Sequence, residues 1–141
     1  EQAFAIIKTH PVIGARIVEH LGLSPQERAI VRNHHERWDG TGYPDGLRGS
    51  DTPVLARILA VADAFDAMTS DRPYRDKLPI GEALREVMRC KGTQFDARIT
   101  NTFYNVLRKE LNGEVKEPHI LPHLPNMDMS KFKAFSSHPP M

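Results

Sequence analysis

The chain has 141 residues, 40% of them hydrophobic and 26% charged, with a formal net charge of +1. That length suits one domain with a real core. The near-neutral charge gives no field that would gather a nucleic acid polymer or an anionic membrane, and no apolar run approaches the roughly 20 residues that cross a bilayer. No signal-peptide pattern is present. The lone cysteine, Cys90, can form no disulfide within the chain, which fits a reducing cytosol. A cytoplasmic location is the expectation.

Residues 2–21 read as helix, interrupted near Pro11. Ala3, Phe4, Ile6 and Ile7 precede the proline; Val12, Ile13, Ile17, Val18 and Leu21 follow it at helical spacing. Proline is tolerated in the first turn of a helix but not in its middle. A break is therefore expected at Thr9-His10-Pro11, with a helix from there to Gly22. His10 stands at that junction, where it caps the break, faces solvent or serves as a ligand.

The next helix is expected over residues 25–36. Ser24 suits the N-cap, Pro25 the first helical position, and Glu27 the capping-box position. Ala29, Ile30 and Val31 face inward, and His34, four residues after Ile30, shares that face. His35 and Glu36 follow at once and suggest a polar pocket. Imidazole is the commonest metal ligand near neutral pH. Consecutive helical residues point about 100° apart, so the two histidines suit two ions, or two sides of a cluster, better than one chelated ion. Gly40, Gly42 and Gly46 surround Pro44 in the loop that follows, which suits a rigid lip over a site. A polar turn at a helix end is the alternative.

Pro53 opens the most apolar helix, residues 53–70, after a Ser50/Asp51 cap region. It is apolar almost all round, so a central buried helix is expected. Asp63 and Asp66 lie inside it, and buried carboxylates need a partner. Metal is favoured for Asp63 and a structural bond for Asp66. Arg72 and Arg75, beside Tyr74, either clamp a phosphate or a base or neutralise the helix C-terminus. An amphipathic helix over residues 80–91 ends at Gly92. Asp96 is an N-cap candidate for a last helix running to about Leu111, striped by Ile99, Phe103, Val106 and Leu107. From Asn112 the prolines break any helix, so a linker or tail is expected over residues 112–141. His119, His123 and His138 show no ligand spacing there.

The stretch His34-His35-Glu36-Arg37-Trp38-Asp39-Gly40-Thr41-Gly42-Tyr43-Pro44 resembles the signature of the HD-GYP domain. The similarity extends through Lys8-Thr9-His10-Pro11-Val12-Ile13-Gly14, through Ala56 to Thr69, through Ser70-Asp71-Arg72-Pro73-Tyr74-Arg75, and through Gly92-Thr93-Gln94-Phe95-Asp96. It covers roughly residues 1–111, and motifs this long and ordered are far more specific than one short pattern. The resemblance implies an all-α, HD-superfamily helical bundle. It also implies metal-assisted hydrolysis of cyclic di-GMP to pGpG, GMP or both, at a centre of two or three divalent ions, iron or manganese. By the same resemblance, His10, His34, His35 and Asp63 fall on metal-ligand positions. Arg72 and Arg75 fall on positions that contact nucleotide phosphates. Gly42, Tyr43 and Pro44 shape the lip of the site and, in some members, meet diguanylate cyclase (GGDEF) domains.

One departure matters. The His-Asp pair and nearby lysine that belong upstream of His10 have no counterpart, since no His-Asp dipeptide occurs in the chain. The expectation is a partial bundle of about five helices, the C-terminal part of the domain over residues 1–111, with its N-terminal helices missing. No catalytic residue is assigned within it. Alone it should be a poor enzyme, and its uncovered apolar face should favour a homodimer or packing against a missing segment. A non-catalytic module binding nucleotide or a GGDEF partner, and a hydrolase of another nucleotide, are the alternatives.

Overall fold

The computed structural model describes residue 5, residues 7–73 and residues 75–111. Among them are five α-helices: α1 His10–His20, α2 Pro25–Asn33, α3 Val54–Thr69, α4 Ile80–Arg89 and α5 Ala97–Glu110. Extended pairing among the described residues is confined to two isolated bridges, Arg72–Arg75 and Lys91–Phe95. The all-helical class expected from the sequence is the one found. No helix among the described residues is long and apolar enough to cross a membrane. The expected tail, with His119, His123 and His138, lies outside the described residues, as do Tyr74 and, before Pro11, Ala3, Phe4 and Ile6.

Local chemistry sets most boundaries. Pro11 sits in the first turn of α1 and is buried, where its missing N–H costs nothing. The helix ends in a Schellman arrangement: Leu23 N–H donates to Val18 O, Gly22 N–H donates to Glu19 O, and Gly22 takes φ +79°. Ser24 and Glu27 form the full capping box that starts α2. Asp96 caps α5 by accepting from Arg98 N–H. The expected cap region for α3 is different in detail. Gly49–Asp51 form a separate 3-10 turn, and Pro53 stands at the N-cap without a side-chain cap bond.

The core gathers Val61 and Met68 of α3, Ala83 and Val87 of α4, and Cys90 and Phe95 of the connector to α5. Phe65 meets Phe103 edge to face, with ring centroids 5.3 Å apart, a geometry the ring quadrupoles favour. Thus α3 is central, touching α2, α4 and α5. It is not buried all round, however. Val54, Leu55 and Ile58 are each about half exposed (51, 51 and 47%), because α2, α4 and α5 cover only the face carrying Ala56, Val61, Ala67 and Met68. Ile13 and Ile17 of α1 and Leu21 at its C-cap are exposed as well.

Candidate metal centre

The end of α2 builds the site. The helix stops at Asn33, three residues before the expected end, and His34 is its C-cap. The 100° spacing therefore does not govern the two histidines. His34 and His35 turn toward one place, with ring centroids 4.0 Å apart. His10, at the start of α1, completes the group. One nitrogen from each of His10, His34 and His35 lies within 4.8 Å of the others. His35 is buried, while His10 and His34 are half-buried.

Backbone carbonyls fix two of the tautomers. His10 Nδ1 lies 2.6 Å from Ile7 O, and His34 Nδ1 lies 2.8 Å from Val31 O. A carbonyl only accepts, so each Nδ1 carries the proton and, in the neutral ring, each Nε2 carries the lone pair. His10 Nε2 lies 2.9 Å from His35 Nε2. Two imidazole nitrogens at ordinary metal–nitrogen distance and at right angles on one ion would be roughly 3 Å apart. Donor type, the His10 and His34 tautomers and the His10–His35 separation fit a divalent transition metal. Burial holds His34 below the ordinary histidine range, although its bond to Val31 O and the charge of Asp63 pull the other way. A neutral His34 is the form that can ligate.

Asp63, half-buried on α3, stands beside this group and not within it. Its charge reaches both His34 and Tyr43. Asp66 is exposed on the same helix, contrary to the expected burial, and accepts from Ser70 Oγ at 3.2 Å at the helix end.

The loop after His35 is folded back on the histidines. Tyr43 lies nearly parallel to the His35 ring, at 5.1 Å and 18°. Burial and the Asp63 charge push the Tyr43 phenol up to about 12. Lys8 Nζ sits 5.9 Å from the same tyrosine ring. At Gly42 an added Cβ would collide with Arg37 N and lie 2.6 Å from both Glu36 Cα and His35 O. Those neighbours are backbone and cannot step aside, so only glycine fits there.

Three residues absent from the expected site list hold this loop. Glu36 is buried, and its carboxylate accepts from the amides of Asp45 (2.6 Å), Gly46 (3.1 Å) and Leu47 (3.1 Å). Asp45 takes a two-pronged bond from Arg32 at 2.8 and 2.7 Å. Arg57 pairs with Asp96, donates to Thr52 O at 2.9 Å and lies over the Trp38 ring. The one available signal was Glu36 itself, a carboxylate just before a turn-rich loop full of orphan amides. Its partners lie 9 to 11 residues on, beyond any helical spacing.

Arg72 and Arg75 are bridged through their backbones. Arg75 Nη2 donates to Ala67 O at 2.7 Å, in the last turn of α3. Burial lowers the affinity of Arg75 for its proton, and the charge of nearby Arg72 adds to this. The helix-end role is therefore present at Arg75.

The description "HD domain" matches residues 1–99. The chain is 40% identical over 112 residues to a cyclic di-GMP phosphodiesterase of Thermotoga maritima, covering 78% of this chain and 30% of that protein. It is 41% identical over 104 residues to the cyclic di-GMP phosphodiesterase response regulator RpfG of Xanthomonas campestris, covering 70% of this chain and 26% of that one. The crystal structure of a cyclic GMP-AMP specific phosphodiesterase of Vibrio cholerae superposes with a TM-score of 0.62 at 25% identity, covering 99% of this chain and 31% of that chain. The chain thus spans less than a third of these relatives' length. It belongs to the HD domain family, and His34 to Pro44 resemble the HD-GYP signature.

Proposed function

We propose that the chain carries part of a metal-dependent centre that hydrolyses cyclic di-GMP to pGpG, GMP or both. The observation that carries this reading is the convergence of His10, His34 and His35, with two Nε2 lone pairs fixed by backbone carbonyls. Those three would hold the ion, with Asp63 supplying a carboxylate close by. Mixed imidazole and carboxylate donors suit iron or manganese, two or three ions for a complete site. When bound, such an ion supplies Lewis-acid polarisation of a phosphoryl oxygen.

The chain's own residues do the rest. Arg72 and Arg75 offer guanidinium donors to the phosphates. The Gly42-Tyr43-Pro44 lip, held against His35, shapes the entrance. Relatives named as cyclic di-GMP phosphodiesterases support the substrate. A second substrate reading, a cyclic GMP-AMP dinucleotide, draws on the Vibrio cholerae structure. A second role, a binding module without turnover, draws on Arg72 and Arg75 and on the Tyr43 loop, which offer contacts of their own. It would hold nucleotide through the arginines or a GGDEF domain through the Tyr43 loop. Self-association would use the exposed Ile13, Ile17, Leu21, Val54 and Ile58.

The test uses the full chain, loaded with Mn2+ and titrated with cyclic di-GMP and 3′3′-cGAMP. Saturable binding that disappears in the Arg72→Ala/Arg75→Ala double variant supports the reading, and the tighter dinucleotide identifies the substrate class. A metal-loaded chain that binds neither dinucleotide would overturn the substrate proposal.

A further inference from the structure

We propose that Glu36 is a positioning residue for His35, acting through the loop that carries Tyr43. The proposal rests on reading the three histidines as a metal centre, and it extends that reading to a residue outside the ligand set. Glu36 directly follows His35 and is only 5% exposed. Buried carboxylates persist when their charge is answered, and here three backbone amides answer it, at 2.6, 3.1 and 3.1 Å. Such charge-assisted bonds are roughly twice as strong as neutral ones.

The geometry turns this clamp into control of a ring. The amides belong to Asp45, Gly46 and Leu47, just past Tyr43 and Pro44. On the near side of those two residues, Gly42 presses against the backbone of residues 35–37, and Tyr43 N–H donates to His35 O at 3.3 Å. The loop is therefore fastened on both sides of Tyr43. What lies between the fastenings is the tyrosine ring, flat against the face of His35. His10 and His34 are oriented by carbonyls of their own neighbourhood, Ile7 O and Val31 O. The His35 ring meets His10 and His34 on one side and Tyr43 across its face, so loss of the clamp removes one of the surfaces that hold the ring. Outer groups that orient a metal-binding imidazole typically change metal affinity 10- to 100-fold when removed.

The experiment has a metal-free readout and a metal readout, both on the full chain. In the metal-free protein the His35 ring protons should carry an upfield ring-current shift from Tyr43. Glu36→Ala and Tyr43→Ala should each abolish it. Glu36→Gln keeps one carbonyl oxygen for two of the amides and should retain part of it. Co2+ titration, read by its visible absorption, should then show affinity reduced by roughly tenfold or more in Glu36→Ala, and by less in Glu36→Gln. Far-UV circular dichroism checks that each variant is helical. If Glu36→Ala does not fold, Glu36→Gln and Tyr43→Ala carry the comparison. Unchanged His35 shifts in a folded Glu36 variant would overturn the positioning role, whatever the metal does. Co2+ failing to bind the wild type, while His35 still responds to Glu36, would overturn the metal reading and support the positioning role.

Discussion

The loop between α2 and α3 and the outer face of α3 are held in opposite ways. The loop has almost no regular structure, yet it is fastened by Glu36 to three amides, by Asp45 to Arg32 and Asn33, and by Arg57 to Thr52 O. The α3 face is perfectly regular, yet Val54, Leu55, Ile58 and Leu59 meet nothing that covers them fully. Regular hydrogen bonding within a helix does not bury its side chains, and irregular backbone is rigid when its polar groups are answered. The site is built where answers are dense and local. The apolar face keeps its helix but gains little from burial.

Substitutions can break this contrast, beginning with the loop. Arg57→Ala should have the largest effect, about 3 kcal/mol in urea unfolding, since it leaves the Asp96 carboxylate, whose side chain is 5% exposed, without its charged partner. A loss below about 1 kcal/mol would show that Asp96 is satisfied by the α5 amides alone. Gly42→Ala should cost about 2 to 3 kcal/mol by overpacking backbone that cannot retreat. The same variant should broaden the Tyr43 resonances.

Acid should loosen the loop before the core. Burial opposes ionisation of Asp39, but bonds from Arg37 and Thr41 outweigh it and bring the carboxyl from 3.8 to about 2. A depressed carboxylate contributes stability that is complete above its unfolded value and is lost as pH falls through its folded value. The contribution is therefore present above about pH 4 and disappears toward pH 2. Partial exposure limits it to about 1 to 2 kcal/mol. Asp39→Asn should flatten that part of the stability–pH curve. An unchanged curve would remove Asp39 from the account.

The apolar face supplies the smallest effect. Ile58 is 47% exposed, so Ile58→Gln should change unfolding stability by less than about 1 kcal/mol. It should weaken self-association in size-exclusion chromatography at high concentration. A wild-type chain that elutes as a clean monomer there would remove association from the proposal.

What the sequence disclosed follows the range of each interaction. The Ser24–Glu27 capping box, the stop at Gly22 and the Asp96 cap involve residues within a few positions of one another, and each was legible. The convergence of His10 with His34 and His35 crosses 25 positions and was legible only through the family signature. The Arg57–Asp96 pair crosses 39, and neither residue carries a local mark of the other. Apolar composition misled in one place. It placed α3 at the centre correctly, but composition cannot say how many neighbours a helix has, and its outer face is exposed.

The most direct measurement is the metal content of the purified full chain after loading with Mn2+ or Fe2+, set beside the His10→Ala/His34→Ala/His35→Ala variant. The expected result is stoichiometric metal in the wild type and almost none in a variant that remains helical. Equal metal in both proteins, or none in either, would contradict a centre built on these three histidines.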